Sequence, residues 1–202
     1  MKIVLATQNP GKVAEMKALL AGLPVELYPA SAWPDAPDIE EDRPTLKGNA
    51  RKKAEALYRH TGLPALADDT ALEVVALDGR PGVRSARYAG PEADSVANRA
   101  LLLSELKNIS DRRARFRTVI ALATSDGLSY FEGICNGHIL KAERGSGGFG
   151  YDALFVPEGE TLTFAELDSE KKNGISHRGR ALRHFAEALG RGLGKGERER
   201  KP

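Results

Sequence analysis

The opening of the chain limits its fold more than any other segment. Residues 2–7, Lys-Ile-Val-Leu-Ala-Thr, form a short apolar run rich in β-formers, and Asn9-Pro10-Gly11 ends it. From Gly11 to Leu20 the apolar residues Val13, Met16, Leu19 and Leu20 recur at spacings near three and four, which predicts a helix. A strand that turns directly into a helix is half of a βα unit. The alternation continues. Residues 25–28 and 64–67 read as strands, 45–60 as a helix ended by Thr61-Gly62, and 95–106 as another helix. Residues 116–124 and 128–131 read as a hairpin around Asp126-Gly127, 153–156 as a short strand, and 176–189 as a final helix. The fold class is α/β with some antiparallel pairing. Residues 31–44, rich in Pro and acids, and the Gly-rich residues 145–150 read as loops. Residues 1–189 are expected to form a single domain. Residues 190–202 have no apolar face and read as a disordered tail.

Composition narrows the function classes. A length of 202 residues suits one domain or one domain with two lobes. A formal net charge of +2 argues against a non-specific nucleic-acid binder, which carries a larger basic excess. The single cysteine, Cys135, excludes an intramolecular disulfide and a Cys-rich zinc site. The first residues lack a signal-peptide pattern, and no apolar run approaches the roughly 20 residues of a membrane helix. The expectation is a cytoplasmic protein with no membrane partner.

Four segments can carry chemistry. The turn Thr7-Gln8-Asn9-Pro10-Gly11-Lys12 places backbone N–H groups, a helix N-terminus and a lysine at one point, a combination suited to phosphates. It lacks the spacing of a Walker A loop, and a plain βα turn with a surface lysine is the alternative. Asp68-Asp69 follow an apolar run, and Glu40 and Glu41 lie in the acidic loop. Carboxylates at a strand end suit Mg²⁺, and one of them can deprotonate an attacking water. Solvated loop acids are the alternative for the glutamates. The segment from Gly145 to Asp152 offers close backbone approach and, through Phe149 and Tyr151, stacking faces. Lys172, His177 and Arg178 cluster about the start of the last helix, with Ser176 as its expected cap. Cations there oppose the helix dipole, which a bound anion or base carbonyl would relieve.

In this order, the segments LATQNPGK, ADDTALEV, GRPGVRSARYAG, GSGGFGYDALF and ISHRGRAL resemble the Ham1/inosine triphosphatase family, the RdgB-type house-cleaning nucleotide pyrophosphatases. The match spans nearly the whole chain. The resemblance implies an elongated mixed β-sheet flanked by helices, two lobes with a central substrate cleft, and a homodimer. It implies Mg²⁺-dependent hydrolysis of ITP, dITP and XTP to the monophosphate and pyrophosphate. Thr7, Gln8, Asn9, Pro10, Gly11 and Lys12 would hold the phosphates. Asp69 would be general base and metal ligand, with Asp68 and either Glu40 or Glu41 completing the metal site. Thr70 would contact the substrate, and Lys53 would reach the nucleotide. Phe149, Gly150, Tyr151, Asp152, Lys172, His177 and Arg178 would surround the purine. Two positions depart from the family pattern. Ala71 stands where Gly is usual, at a cost of about 1 kcal/mol if φ there is positive, and Gly48 stands where an acid is common.

The working mechanism is in-line attack of a Mg²⁺-polarised water on the α-phosphorus, with donors from His177 or Arg178 at the 6-oxo group selecting inosine and xanthine over adenine. A Maf-type pyrophosphatase acting on modified pyrimidine nucleotides is the rival enzyme. A nucleotide-binding module without turnover is the rival of a different class.

Overall fold

The expected alternation is present in the computed structural model, which describes residues 1–192. The strands form one sheet in the order β2-β1-β3-β5-β6-β7, with β4 paired to β3. The chain divides into two compact units. Met1–Asp69, Thr118–Gly133 and the residues from Arg178 form the first, and Thr70–Arg117 with Ile134–His177 form the second.

In the first unit, β1 (Lys2–Leu5) lies parallel to both β2 (Glu26–Pro29) and β3 (Ala65–Val74), with Ile3 opposite Leu27 and Leu5 opposite Leu66. Parallel pairing requires crossovers, and α1 (Pro10–Leu19) and α2 (Leu46–Thr61) supply them. Each helix begins where its sequence says it should. Asn9 caps α1 by accepting from Lys12 N, and Pro10, which has no N–H to lose, opens it. Thr45 caps α2 by accepting from Gly48 N. Gly62, at φ 69°, ends α2 in the left-handed conformation. Ile3, Leu5, Met16, Leu66, Ile120, Leu122, Phe131, Leu182 and Phe185 form this unit's core.

The second unit takes the remainder of β3, where Leu72 pairs antiparallel with Gly82 of β4 (Pro81–Gly82). It also holds α3 (Ser95–Glu105), capped by Asp94. β5 (Arg113–Thr124) and β6 (Gly127–Ile139) are long hairpin strands with residues in both units. β7 (Phe155–Pro157) runs antiparallel to β6, His138 opposite Val156. Leu72, Leu102, Phe116, Ile139, Tyr151, Leu154, Phe155 and Phe164 make its core. α4 (Ser169–Ile175) and α5 (His177–Gly190) complete the chain.

Several elements differ from expectation, β4 and the start of β5 at Arg113 among them. β3 does not stop at Ala67 but continues through both aspartates to Val74, because cations cover the acids. β6 runs on to Ile139, and Gly137 lets β7 come close there: a Cβ would overlap the Val156 carbonyl oxygen. α4 was not expected; its seven residues carry one apolar side chain and no period, and the Asp168 cap on Lys171 N defines its start. α5 includes Gly190, where the tail was expected to begin; residues 193–202 of that expectation lie outside the described residues. The concern over Ala71 dissolves. It is a buried strand residue, and among the described residues the only non-glycine positions at positive φ are Asp78 and Ala93.

Candidate active site

Asp68 and Asp69 sit inside β3 rather than at a strand end. Neighbours in a strand point to opposite faces, so the two carboxylates enter different surroundings. Asp68 is fully buried. Its Oδ1 lies 3.1 Å from Lys12 Nζ, and its Oδ2 accepts from Arg178 Nε at 3.1 Å and Nη2 at 3.0 Å. Arg178 Nη1 in turn donates to Glu15 Oε2 at 2.5 Å. Burial alone would raise the Asp68 pKa, but Lys12, Arg178 and Lys53 outweigh it and hold the carboxyl well below its usual range. Burial lowers the pKa of the Lys12 ammonium, and Asp68 partly offsets this.

Asp69 meets α2. Asn49 and Lys53 are four residues apart, on one face of that helix, and both are buried. Asn49 Nδ2 donates to Asp69 Oδ2 at 3.0 Å, while Asn49 Oδ1 accepts from Arg43 N at 2.9 Å. One amide thus ties the acidic loop to the carboxylate. Lys53 Nζ donates to the Asp68 carbonyl at 2.6 Å, pairs with Glu41 Oε1 at 2.5 Å and lies 3.9 Å from Asp69 Oδ1. Burial pushes the Asp69 pKa up to about 6; Lys53 works against this and the Glu41 charge adds to it. A carboxylate that titrates near neutrality is placed to accept a proton from water at physiological pH. Of the two candidate glutamates, Glu41 reaches this centre, whereas Glu40 is exposed and its carbonyl accepts from Lys52.

The opening turn is partly self-satisfied. Thr7 Oγ1 accepts from Asn9 N at 3.2 Å, and Asn9 Oδ1 accepts from Lys12 N at 3.1 Å. Pro10 has no N–H. These bonds leave the backbone N–H groups of Thr7, Gln8 and Gly11 as the donors of the turn not engaged by it. Gln8, Asn9 and Pro10 are exposed.

The second unit gathers another group. Asp152 Oδ2 accepts from Lys172 Nζ at 2.7 Å and from Phe149 N at 2.9 Å. The Lys172 ammonium lies 5.1 Å from the Phe149 ring centroid and 5.7 Å from that of Phe164. His177, buried, stacks on Phe116 at 4.5 Å and tilts against Phe164 at 6.0 Å. Phe149, Asp152, Lys172 and His177 are thus brought together around Phe164. Tyr151 turns into the core instead, its hydroxyl donating to the Ser85 carbonyl at 2.8 Å. Arg178, expected at the base, is held by Asp68 and Glu15, because one residue past His177 the helix has rotated by about 100°. Asp68, expected as a metal ligand, is paired with Lys12 and Arg178. Thr70 lies within β3, half-buried.

Asn49 and Glu15 escaped the sequence reading. A polar residue at a buried helical position, as Asn49 is, gives a signal only once its helix face is known. Among the described residues no group of three or more His, Cys, Asp or Glu side chains gathers on one point. The nearest approach to a metal site is the pair Glu41 and Asp69 around the Lys53 ammonium.

Comparison with known proteins gives the family. Residues 3–188 match the Ham1 family. A dITP/XTP pyrophosphatase of Geobacter sulfurreducens is 50% identical over 192 residues, covering 94% of this chain and 96% of that protein. One from Streptomyces coelicolor is 48% identical, covering 96% and 99%. Among solved structures, a Ham1 protein from Coxiella burnetii superposes with a TM-score of 0.86 at 42% identity, covering 95% of this chain and 99% of that one. The Staphylococcus aureus Ham1 protein gives 0.85 at 36%, covering 95% and 100%. Matched over residues 3–188 and about half identical to these relatives over nearly its whole length, the chain belongs to the Ham1 family.

Proposed function

We propose that this chain is a nucleoside-triphosphate pyrophosphatase that hydrolyses the non-standard purine nucleotides ITP, dITP and XTP to the monophosphate and pyrophosphate. The activity named for its relatives, dITP/XTP pyrophosphatase at about half identity over nearly the whole chain, supports the substrate class. The observation that carries the chemistry is Asp69, a buried carboxylate with its pKa raised to about 6 and one oxygen fixed by Asn49.

In this reading Asp69 takes a proton from water as the water oxygen bonds to the α-phosphorus. The bond from that phosphorus to the bridging oxygen breaks, and its electron pair leaves with pyrophosphate. Lys12 and the donors of the Thr7–Lys12 turn meet the phosphate charge, and Asp68 with Arg178 fixes where Lys12 stands. Glu41 and Asp69, two hard oxygen ligands already sharing one ammonium, fit Mg²⁺, which completes its shell with waters and substrate phosphates. When bound, such an ion supplies charge neutralisation at the phosphate oxygens.

Base choice belongs to the second unit. Lys172 is a donor suited to a 6-oxo acceptor, and an adenine amine would face that donor without an acceptor. Phe149 offers a stacking face. The Maf-type reading is not favoured by the relatives found. We further place the enzyme in the cytoplasm as a homodimer, a state that light scattering of the purified protein tests. No helix among the described residues is long and apolar enough to cross a membrane.

The test is pyrophosphate release from dITP, XTP, dATP, dGTP and dUTP with and without Mg²⁺. Release from dITP and XTP that requires Mg²⁺ is expected. Preference for the pyrimidine, or orthophosphate as the sole product, would overturn the reading.

A further inference from the structure

One contact in the second unit plays no part in the mechanism above. Arg99, on α3, donates from Nη1 to the Gly150 carbonyl at 2.8 Å, and its Nε lies 2.9 Å from Glu143 Oε1. These two acceptors bracket the Gly-rich loop. Residues 143–148 between them are exposed, so little else covers the loop from solvent. On its other side the loop rests on backbone: Gly147 N donates to the Ala165 carbonyl at 3.0 Å. A Cβ on Gly145 or Gly147 would come within 2.8 Å of that oxygen. Neither contact holds the end of the loop that carries Phe149. That end is held by Phe149 N on Asp152, by Asp152 N on the Phe149 carbonyl at 3.2 Å and, one residue later, by Arg99 on Gly150.

We infer that Arg99 is a specificity-determining positioning residue. Through the Gly150 carbonyl it holds Phe149 against Lys172 and so sets the place where the purine base of a nucleoside triphosphate is received. The inference rests on the assignment of base recognition to these residues. The hydrogen bond to Gly150 and the ion pair with Glu143 differ in weight. Glu143 is 43% exposed at its side chain, and exposed ion pairs contribute little. The guanidinium is 15% exposed, and its bond to a carbonyl is a charge-assisted one in a shielded place. Loss of Glu143 should therefore be mild and loss of Arg99 felt at the base.

The experiment compares wild type, Arg99→Ala, Arg99→Lys and Glu143→Gln in two ways. Hydrogen exchange without nucleotide reads the loop, and steady-state pyrophosphate release from dITP and dGTP reads the site. In Arg99→Ala, exchange in residues 145–150 is expected to quicken about tenfold, the loss of one charge-assisted bond, with exchange elsewhere unchanged. KM for dITP should rise about tenfold with kcat within about twofold, and discrimination against dGTP should shrink. Arg99→Lys should recover part of both effects, and Glu143→Gln should match wild type. Unchanged exchange in the loop overturns the positioning role. Faster exchange with wild-type KM and discrimination, or a fall in kcat at constant KM, overturns the link to specificity. A wild type that releases no pyrophosphate from dITP would sink the proposed function and the specificity half with it, while the exchange data still decide the positioning half.

Discussion

Asp68 and Asp69 are chemically identical neighbours that β3 sends to opposite ends of the acidity scale. Asp68, with two cations on its oxygens, has a depressed pKa. Its contribution to stability is complete above the unfolded value near 4 and is lost as pH falls toward the folded value. Asp68→Asn leaves Lys12 and Arg178 buried without their shared anion, and a loss of about 3–5 kcal/mol in urea unfolding at pH 7 is expected. Asp69 carries the opposite sign. Its folded pKa of about 6 means that its burial is tolerated best below about pH 4 and costs stability as pH rises through 6. In EDTA at pH 8, Asp69→Asn should therefore be more stable than wild type, by up to about 3 kcal/mol for a shift of roughly two units. The gain should vanish near pH 4, while kcat for pyrophosphate release is strongly lowered, though still measurable, at every pH. A destabilised Asp69→Asn at pH 8 would show that burial does not dominate this carboxylate.

At the scale of elements, α2 was legible in the sequence almost to the residue, since Thr45 and Gly62 mark its ends and its apolar face repeats regularly. β3 was legible only to Ala67. Two acids in a row break the apolar pattern, and the cations that neutralise them come from α1, α2 and α5, as far as 110 positions away. The same distance hid the role of Arg178, whose sequence neighbourhood points toward His177 and the base. α4 gave no signal, because seven residues are too few for a period. The part of α2 that the pattern could not reveal is its polar buried face. Asn49→Ala should release both Asp69 and the loop at Arg43. We expect kcat to fall more than tenfold and stability by about 1–3 kcal/mol. Gly62→Ala, which strains only the left-handed cap, should cost about 1 kcal/mol in thermal or urea unfolding and leave kcat and KM as they were. The contrast separates a helix that merely forms from one that presents Asn49 correctly.

Across the whole molecule, the residues assigned to bond cleavage and those assigned to the base belong to different units with separate cores. That division gives each group its own kinetic signature. Lys172→Met keeps the length of the side chain against Phe149 and Phe164 but removes the ammonium from Asp152. Asp152 keeps its bond from Phe149 N, yet a buried carboxylate without its cation is costly, so Lys172→Met paired with Asp152→Asn is the cleaner variant. For the pair, KM for dITP and XTP should rise ten- to a hundredfold while dATP is turned over no worse, because the donor that favours a 6-oxo group is gone. Asp69→Asn should instead lower kcat for every base alike and leave their ranking unchanged. If the two sets are independent, the triple variant shows the product of the two effects. A discrimination ratio that shifts in Asp69→Asn, or stays fixed in the Lys172 and Asp152 pair, would mean that base reading and bond cleavage are done by one set of residues.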